Sequence, residues 1–246
     1  MHIESTLLRW PVLGWVRRRR RRQALPSWLR ARVEALQAQN RLGNRGLREP
    51  LTLARFVALD LETTGARMDQ DRIICIGAIA VRAQTIRHQE AFERFVRQPQ
   101  ASSVDNILIH QIGGQQQLGG EDPAVVLLEC LEFLHSTVVV AFRAEFDSTI
   151  LRREAAQWLG VRVANRFVDL AVLLPALFPA TQNDTLEDWM THFGLRVATR
   201  HQALADAYAH AALLLIVLRR ASQVGLHTVD DLIGIEKAQR WLGLRR

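Results

Sequence analysis

The sequence predicts an α/β protein in which helices flank a mixed β-sheet. Between residues 51 and 170, short apolar runs typical of strands alternate with segments whose apolar residues recur every three or four positions. The first three runs follow one another closely, which predicts an antiparallel meander, whereas the later runs alternate with helices. The length of 246 residues and a hydrophobic content of 48% fit one globular domain with appendages.

The strands are predicted from apolar runs separated by a few polar residues. The run TVVVAF is typical of a strand that is buried on both faces, and we expect the sequence GGQQQLGG at 113–120 to form a loop. The predicted strands are 55–61, 72–81, 86–96, 137–142 and 167–170.

The helices are predicted from periodicity and from their start signals. Asp122 followed by Pro123 indicates a helix start, because aspartate caps the first turn and proline fits its first position. The predicted helices of the domain are 122–135, 146–159, 170–177, 184–193 and about 202–220.

A basic N-terminal arm precedes this domain. Residues 1–50 carry 12 arginines against three glutamates, including the run RRRRRR at 17–22, so the remaining chain has a formal charge of −2. Such a run suits a phosphate backbone or an anionic lipid surface. Base composition is an alternative source of the arginine preference, since Lys237 is the only lysine, but it does not explain six arginines in a row.

The arm also contains a predicted helix and ends at a predicted domain boundary. Ser27 is a candidate cap, and Leu29, Val33 and Leu36 have helical spacing. The stretch LGNRGLREP supplies two glycines and a proline near residue 50. We therefore expect three parts, namely a basic arm at 1–50, the α/β domain at 51–222 and closing helices at 223–246.

Composition also limits the protein class and its compartment. No apolar stretch reaches the roughly 18 residues of a membrane span, and the apolar N-terminal residues precede the arginines, the reverse of a signal peptide. Cys75 and Cys130 lie in apolar runs without CxxC spacing, which predicts buried thiols in a reducing compartment. We expect a cytoplasmic protein without an integral membrane segment.

Two acidic residues stand at the end of the first predicted strand. Asp60 and Glu62 are two positions apart in FVALDLETTG, so their side chains would point to the same face of the strand. Two carboxylates so close are mutually unfavourable unless one is protonated or a cation lies between them. A solvated strand end is the alternative, and a single D-x-E pattern does not decide between the two.

Two further acids and one histidine lie where they could join Asp60 and Glu62 in one site. Asp147 follows the apolar strand at the start of a helix, where capping or the helix dipole is an ordinary explanation. Asp206 lies on a helix rich in alanine and leucine, so it must be paired, exposed or bound to a cation. His201 precedes Asp206 by five residues and would face away from it on a helix, whereas a loop at VATRH would let it reach the site.

The ordered segments DLETTG, FRAEFDSTIL and RHQALADAYAHA resemble the three exonuclease motifs of the DEDDh 3′–5′ exonuclease family. That family includes the epsilon proofreading subunit of bacterial DNA polymerase III. The resemblance spans roughly residues 54–218, and it includes TLEDWMTHFGL at 185–195 and the pair Ile109-His110. It implies an RNase H-like fold, which agrees with the mixed sheet.

The resemblance implies a set of site residues and two bound metals. Hard oxygen ligands favour Mg²⁺ or Mn²⁺, and His201 would take a proton from the attacking water. The implied metal ligands are Asp60, Glu62, Asp147 and Asp206, and the implied substrate contacts are Thr63, Thr64, His110 and Arg143.

The resemblance further implies a substrate and partners. The reaction would release nucleoside 5′-monophosphates from the 3′ ends of single-stranded nucleic acid, with DNA favoured, in proofreading or repair. A DNA polymerase or another replication or repair protein is an expected partner. The alternatives are an exoribonuclease similar to RNase T and a catalytically silent protein that binds nucleic acid or a polymerase.

Three residues depart from the family pattern. Phe142-Arg143 stands where the family usually has His-Asn, and Gln111 stands where a glycine usually follows the Ile-His pair. None of these residues is an implied metal ligand, so catalysis should survive and substrate fit is more affected. Arg143 either holds a phosphate or lies on the surface.

Overall fold

A five-stranded sheet forms the centre of the computed structural model, which describes residues 20–41, 47–181, 183–196 and 201–243. The strand order is β3-β2-β1-β4-β5. The strands are β1 (Arg55–Thr63), β2 (Ile73–Arg82), β3 (Thr85–Phe95), β4 (Val138–Ala141) and β5 (Phe167–Asp169).

The pairing confirms the predicted mixed sheet. Strands β1, β2 and β3 form an antiparallel meander, whereas β4 pairs in parallel with both β1 and β5. The parallel strands are short and buried, as expected of strands that helices cover on both faces.

Helices cover both faces of the sheet. In the described part of the chain they are α1 (Ser27–Arg41), α2 (Val104–His110), α3 (Gly114–Leu118), α4 (Pro123–Leu134), α5 (Glu145–Trp158), α6 (Leu170–Leu177), α7 (Leu186–His192), α8 (Ala203–Gln223) and α9 (Val229–Gly243). The helices predicted for the domain are all present. The segment after residue 223 forms one described helix, α9, rather than several.

The loop predicted at 113–120 is wrong over its central part, which forms the short helix α3. The glycine-rich composition concealed it, but Gln117 is fully buried and donates from Nε2 to the Ile112 carbonyl at 2.9 Å. The Ser102 backbone N–H donates in turn to Oε1 of Gln117 at 2.8 Å. These tertiary hydrogen bonds stabilise a turn that local propensity does not predict.

The alternation of side chains along β1 determines which face of the sheet carries its two acidic residues. Val57 and Leu59 point into the core formed with α1, α4 and α5, whereas Phe56 and Ala58 point into the core formed with α6 to α9. Asp60 and Glu62 continue the second set, because side chains two residues apart share a face. Both carboxylates therefore face the α8 side of the sheet.

The helix predicted in the basic arm is present and packs on the domain. Leu29, Val33 and Leu36 are at most 3% exposed and belong to the same core cluster as α4 and α5. Arg32 adds a bidentate ion pair with Glu132 on α4. Of the arginine run, residues 20–22 are described and helical, whereas 17–19 lie outside the described residues. The boundaries near residues 50 and 222 stay predictions.

We expect Leu36→Ala to lower the free energy of unfolding by about 2–4 kcal/mol, because the substitution removes a buried side chain from the shared core. Urea unfolding followed by circular dichroism measures the change. Glu34→Ala on the exposed side of α1 is the matched control and should change stability little. A decrease of less than about 1 kcal/mol for Leu36→Ala would show that α1 is not part of the folded domain.

Candidate active site

A close approach between α8 and β2 positions the site. Gly77 on β2 is paired with Asp60 across the sheet, and a Cβ at Gly77 would overlap the backbone carbon of Ala203. Only glycine permits this approach, so the first turn of α8 lies directly over the acidic end of β1. The glycine inside the apolar run IICIGAIAV was the sequence signal for it.

Three carboxylates meet at this point. Asp60, Glu62 and Asp206 each offer an oxygen, and these oxygens all lie within 4.8 Å of one another. Glu62 and Asp206 are at most 5% exposed. Buried carboxylates so close repel one another strongly, and hard oxygen donors at this spacing are what divalent cations prefer. The cluster can therefore hold a divalent metal.

Asp147 lies beside the cluster, in the first turn of α5. Its carboxylate accepts hydrogen bonds from the backbone N–H groups of Leu61 and of Asp147 itself, which ties α5 to β1. The helix-start position is as predicted, but the side chain is buried rather than a solvated cap. Burial raises the pKa of Asp147 to about 7, and the charges of Asp169 and Glu62 act in the same direction.

Two histidines flank the carboxylates. His201 lies outside α8 with a left-handed φ of +59°, and its backbone N–H donates to Asp206 Oδ2 at 3.2 Å. The predicted non-helical position of His201 is therefore observed, while residues 197–200 of the expected loop lie outside the described residues. His110, at the end of α2, contacts Glu62 Oε2 through Nδ1. The two imidazole rings meet edge to face at 6.5 Å.

The threonines after the acidic pair shape the turn between β1 and β2. The Thr63 hydroxyl donates to the Gly65 carbonyl at 2.7 Å, and the Thr64 hydroxyl donates to Asp71 Oδ1 at 2.8 Å. The Arg72 N–H donates to the Thr64 oxygen at 3.0 Å. Both hydroxyls thus hold the rim of the site in a fixed shape, and their contact with a substrate stays a prediction.

Arg143 occupies a strained backbone position between β4 and α5. Its φ is +58°, where asparagine is less strained than arginine, which fits the asparagine expected from the DEDDh resemblance. Its backbone N–H donates to Asp169 Oδ1 at 2.8 Å, and its guanidinium reaches the Asp184 carbonyl at 3.5 Å. Gln111 is similar, since it ends α2 at a φ of 57°.

Three residues of the site were not singled out from the sequence. His210 lies one helical turn after Asp206 and is buried, with Nδ1 3.0 Å from the Leu59 carbonyl and Nε2 4.0 Å from Asp60 Oδ1. A carbonyl oxygen only accepts, so Nδ1 carries the proton. His210 is not among the residues predicted for the site, although its i+4 spacing from Asp206 is a visible signal. Asn106 donates to the Thr63 carbonyl at 2.9 Å.

Asp169, at the end of β5, is the third residue of the site that was not singled out from the sequence. One carboxylate oxygen, Oδ1, accepts from the backbone N–H groups of Arg143 and Ala171, and the other accepts from Arg240 of α9 at 3.0 Å. It fixes the turn that carries Arg143 and leads to Asp147. Its sequence context, a short strand followed by a helix, did not distinguish it from an ordinary helix cap.

Comparison with known families decides the assignment. The RNase_T family model, described as an exonuclease, matches residues 57–214. The chain belongs to this exonuclease family. All four acidic site residues, as well as His201, lie inside the matched range. The family membership confirms the resemblance drawn from the three motifs.

Relatives of this exonuclease domain include proteins named as DNA polymerase III or its epsilon subunit. The DNA polymerase III PolC-type protein of Caldanaerobacter subterraneus is 30% identical over 179 residues, which are 72% of this chain. The chain spans only 12% of the length of that protein. The DNA polymerase III subunit epsilon of Treponema pallidum is 27% identical over 71% of this chain and 81% of its own.

Solved structures confirm the RNase H-like exonuclease fold. E. coli exonuclease I in complex with a dT13 oligonucleotide superposes with a TM-score of 0.59 at 22% identity, over 70% of this chain and 42% of that one. Among the described residues of this exonuclease domain, none of the helices has the length and apolarity that crossing a membrane requires.

We expect Gly77→Ala to lower the free energy of unfolding by about 1–3 kcal/mol, because its Cβ would overlap the backbone of α8. The shifted helix would move Asp206 away from Asp60 and weaken Mn²⁺-induced thermal stabilisation. Urea unfolding and thermal shifts with Mn²⁺ measure the two effects. Gly234→Ala in α9, where a Cβ meets nothing within 4 Å, is the control and should leave both unchanged or slightly raise stability. Equal behaviour of the two variants would refute the positioning role.

The raised pKa of Asp147 predicts a pH dependence of the metal-free protein. Between about pH 4 and 7 the folded state keeps a proton that the unfolded chain releases, so the stability contribution of Asp147 falls as the pH rises. Asp147→Asn removes this fall, and the two proteins should diverge on the order of 2 kcal/mol between pH 5 and 8. Urea unfolding in EDTA at both pH values measures it, with Asp69→Asn at an exposed site as the control. Parallel pH curves for native protein and Asp147→Asn would contradict the assignment.

Proposed function

We propose that the chain is a metal-dependent 3′–5′ exonuclease that releases nucleoside 5′-monophosphates from single-stranded DNA ends. The observation that carries the proposal is the convergence of Asp60, Glu62 and Asp206 on one point, with oxygens within 4.8 Å of one another. The charge of Glu62 acts on Asp147, and the backbone N–H of His201 donates to Asp206 Oδ2. Three converging carboxylates, with a fourth acid and a histidine beside them, match a phosphodiester hydrolase better than a binding scaffold.

The carboxylates fit two divalent ions, Mg²⁺ or Mn²⁺, held by Asp60, Glu62, Asp147 and Asp206. When bound, two such ions stabilise the attacking and leaving oxygens of a phosphodiester. The carboxylates are fixed before any ion arrives, because β1, α5 and the first turn of α8 are held by backbone hydrogen bonds and by the close approach at Gly77. Little reorganisation is then needed when substrate binds.

His201 acts as the general base. The hydrogen bond from its own N–H to Asp206 fixes its backbone at the site, while its imidazole is exposed and faces the ring of His110. A neutral imidazole carries a ring nitrogen lone pair that can accept a proton. His201 therefore takes a proton from the attacking water.

The rim of the site holds the terminal nucleotide. Thr63 and Thr64 form a turn fixed by hydrogen bonds, His110 lies against Glu62, and Arg143 extends towards the start of α7. We place the terminal base and sugar on this rim. Because the threonine hydroxyls already donate within the turn, backbone groups and acceptor lone pairs provide their remaining contacts.

Proofreading or repair is the cellular setting that we propose. The support is the similarity to a DNA polymerase III epsilon subunit over most of both chains, and to the PolC-type polymerases. A DNA polymerase or another replication protein would then be a partner in the cytoplasm. The family model named RNase_T favours RNA as the alternative substrate.

Shortening of labelled strands tests the proposal. Single-stranded DNA and RNA of one sequence, labelled at the 5′ end, are incubated with Mg²⁺ or Mn²⁺ and the native chain or Asp206→Ala. We expect a ladder of shortened DNA and a decrease of at least about 100-fold in rate for Asp206→Ala, since removing a metal ligand removes electrostatic stabilisation of the transition state. Asp69→Ala, which removes an exposed carboxylate, is the control and should keep full activity.

Each other outcome points to one alternative. Immediate release of the 5′ label would contradict the 3′–5′ direction. Faster shortening of RNA than of DNA would favour the exoribonuclease. Absence of shortening with either strand and either metal would favour the catalytically silent binding protein.

A further inference from the structure

A cleft outside the candidate active site, which we call the arginine cleft, runs along the side of α5 that does not include Asp147. Its volume is about 1170 Å³. Glu145, Ser148 and Arg152 line it with the three- and four-residue spacing of one helix face. Four arginines contribute to its walls, namely Arg152, Arg162, Arg166 and Arg240.

Two of the four arginines are neutralised within the protein. Glu236 on α9 is 2% exposed, and its carboxylate lies 3.3 Å from Arg166 and 3.1 Å from Arg240. Arg240 also pairs with Asp169 at 3.0 Å. These two guanidinium groups therefore have a structural explanation in the docking of α9.

The other two arginines lack an acidic partner among the described residues. Arg152 stacks on the Phe167 ring at 5.1 Å and reaches the Asn165 carbonyl at 3.4 Å, and neither group carries a negative charge. Burial lowers the pKa of Arg152, and the charges of Arg162 and Arg166 lower it further. Arg162 is exposed. The cleft lining holds two carboxylates, Glu145 and Glu236, against four arginines, so the cleft keeps a net positive charge that favours an anion.

The positive surface continues beyond the cleft to the basic arm. Ala156 lines the cleft, and at the next residue the Gln157 carbonyl accepts a hydrogen bond from Arg21 at 2.7 Å. Arg21 also stacks on Trp158 at 5.6 Å. Arg21, Arg152 and Arg162 thus lie along the second half of α5 and the loop that follows it. Guanidinium groups at three separate positions can contact more than one phosphate, which favours an extended polyanion over a single phosphate group.

We propose that the arginine cleft binds the phosphodiester backbone of the nucleic-acid strand whose 3′ end occupies the active site. The identity of the ligand rests on the proposed function. The cleft then serves as a second, sequence-independent binding surface, in which Arg162 and Arg152 displace counterions from the strand. Residues 51–246, the cleft included, carry a formal charge of only −2, so this local surface supplies attraction that the domain as a whole lacks.

The test is binding of a fluorescently labelled dT16 oligonucleotide to the full chain in EDTA, measured by anisotropy over a range of salt concentrations. We expect Arg162→Glu to weaken binding by about five- to ten-fold at low salt and to reduce the salt slope by about 0.7 for each phosphate that the variant no longer neutralises. Arg87→Glu on β3, at the opposite edge of the sheet, is the matched control with the same change in net charge. It should bind like the native chain.

The outcomes separate this proposal from the proposed function. Equal affinities and salt slopes for Arg162→Glu and Arg87→Glu would overturn the proposal that the arginine cleft binds the strand. A native chain that does not bind dT16 would overturn it as well. Weaker binding by Arg162→Glu would support the cleft even if the native chain shortened no strand. Arg152→Gln, which removes the charge but keeps a hydrogen-bond donor, provides the second variant and should reduce the salt slope in the same direction.

Discussion

The active site depends on the close approach between the first turn of α8 and the backbone of β2. Gly77 has no Cβ, and the Ala203 backbone occupies the space where one would lie. A carboxylate oxygen of Asp206 therefore lies within 4.8 Å of oxygens of Asp60 and Glu62, close enough for the three to share a cation. Without this approach, the acids of the first and third motifs would stay on separate elements, and neither could hold a cation alone.

The same arrangement stores electrostatic repulsion in the folded protein. Glu62, Asp147 and Asp206 are all buried, and backbone N–H groups together with the contact of His110 with Glu62 compensate part of the repulsion. Hydrophobic packing of both cores must supply the stability that offsets this cost. A site that is unfavourable as a set of bare charges gains most when a divalent cation binds, which is why preorganised carboxylates suit metal-dependent phosphodiester chemistry.

The candidate active site and the arginine cleft are connected through Asp169. Asp169 fixes the backbone of Arg143 through one carboxylate oxygen and accepts from Arg240 through the other. Arg240 belongs to the wall of the arginine cleft, and the turn at Arg143 leads to Asp147. The C-terminal helix α9 is thus connected by ion pairs to the element that carries the second acidic motif, although it contributes no acid to the metal cluster.

The sequence by itself determined the α/β class, the mixed sheet and nearly all the helices, because periodicity is written in neighbouring residues. Its local motifs also selected the four acids and His201 that we propose for the site. It did not determine α3, the role of Gly77, or the burial of His210 against Asp60, since each depends on contacts between residues far apart in the chain. The arginine cleft is a further case. Arg152, Arg162 and Arg166 are ordinary surface residues in the sequence, and only the packing of α5, β5 and α9 places them in one cleft.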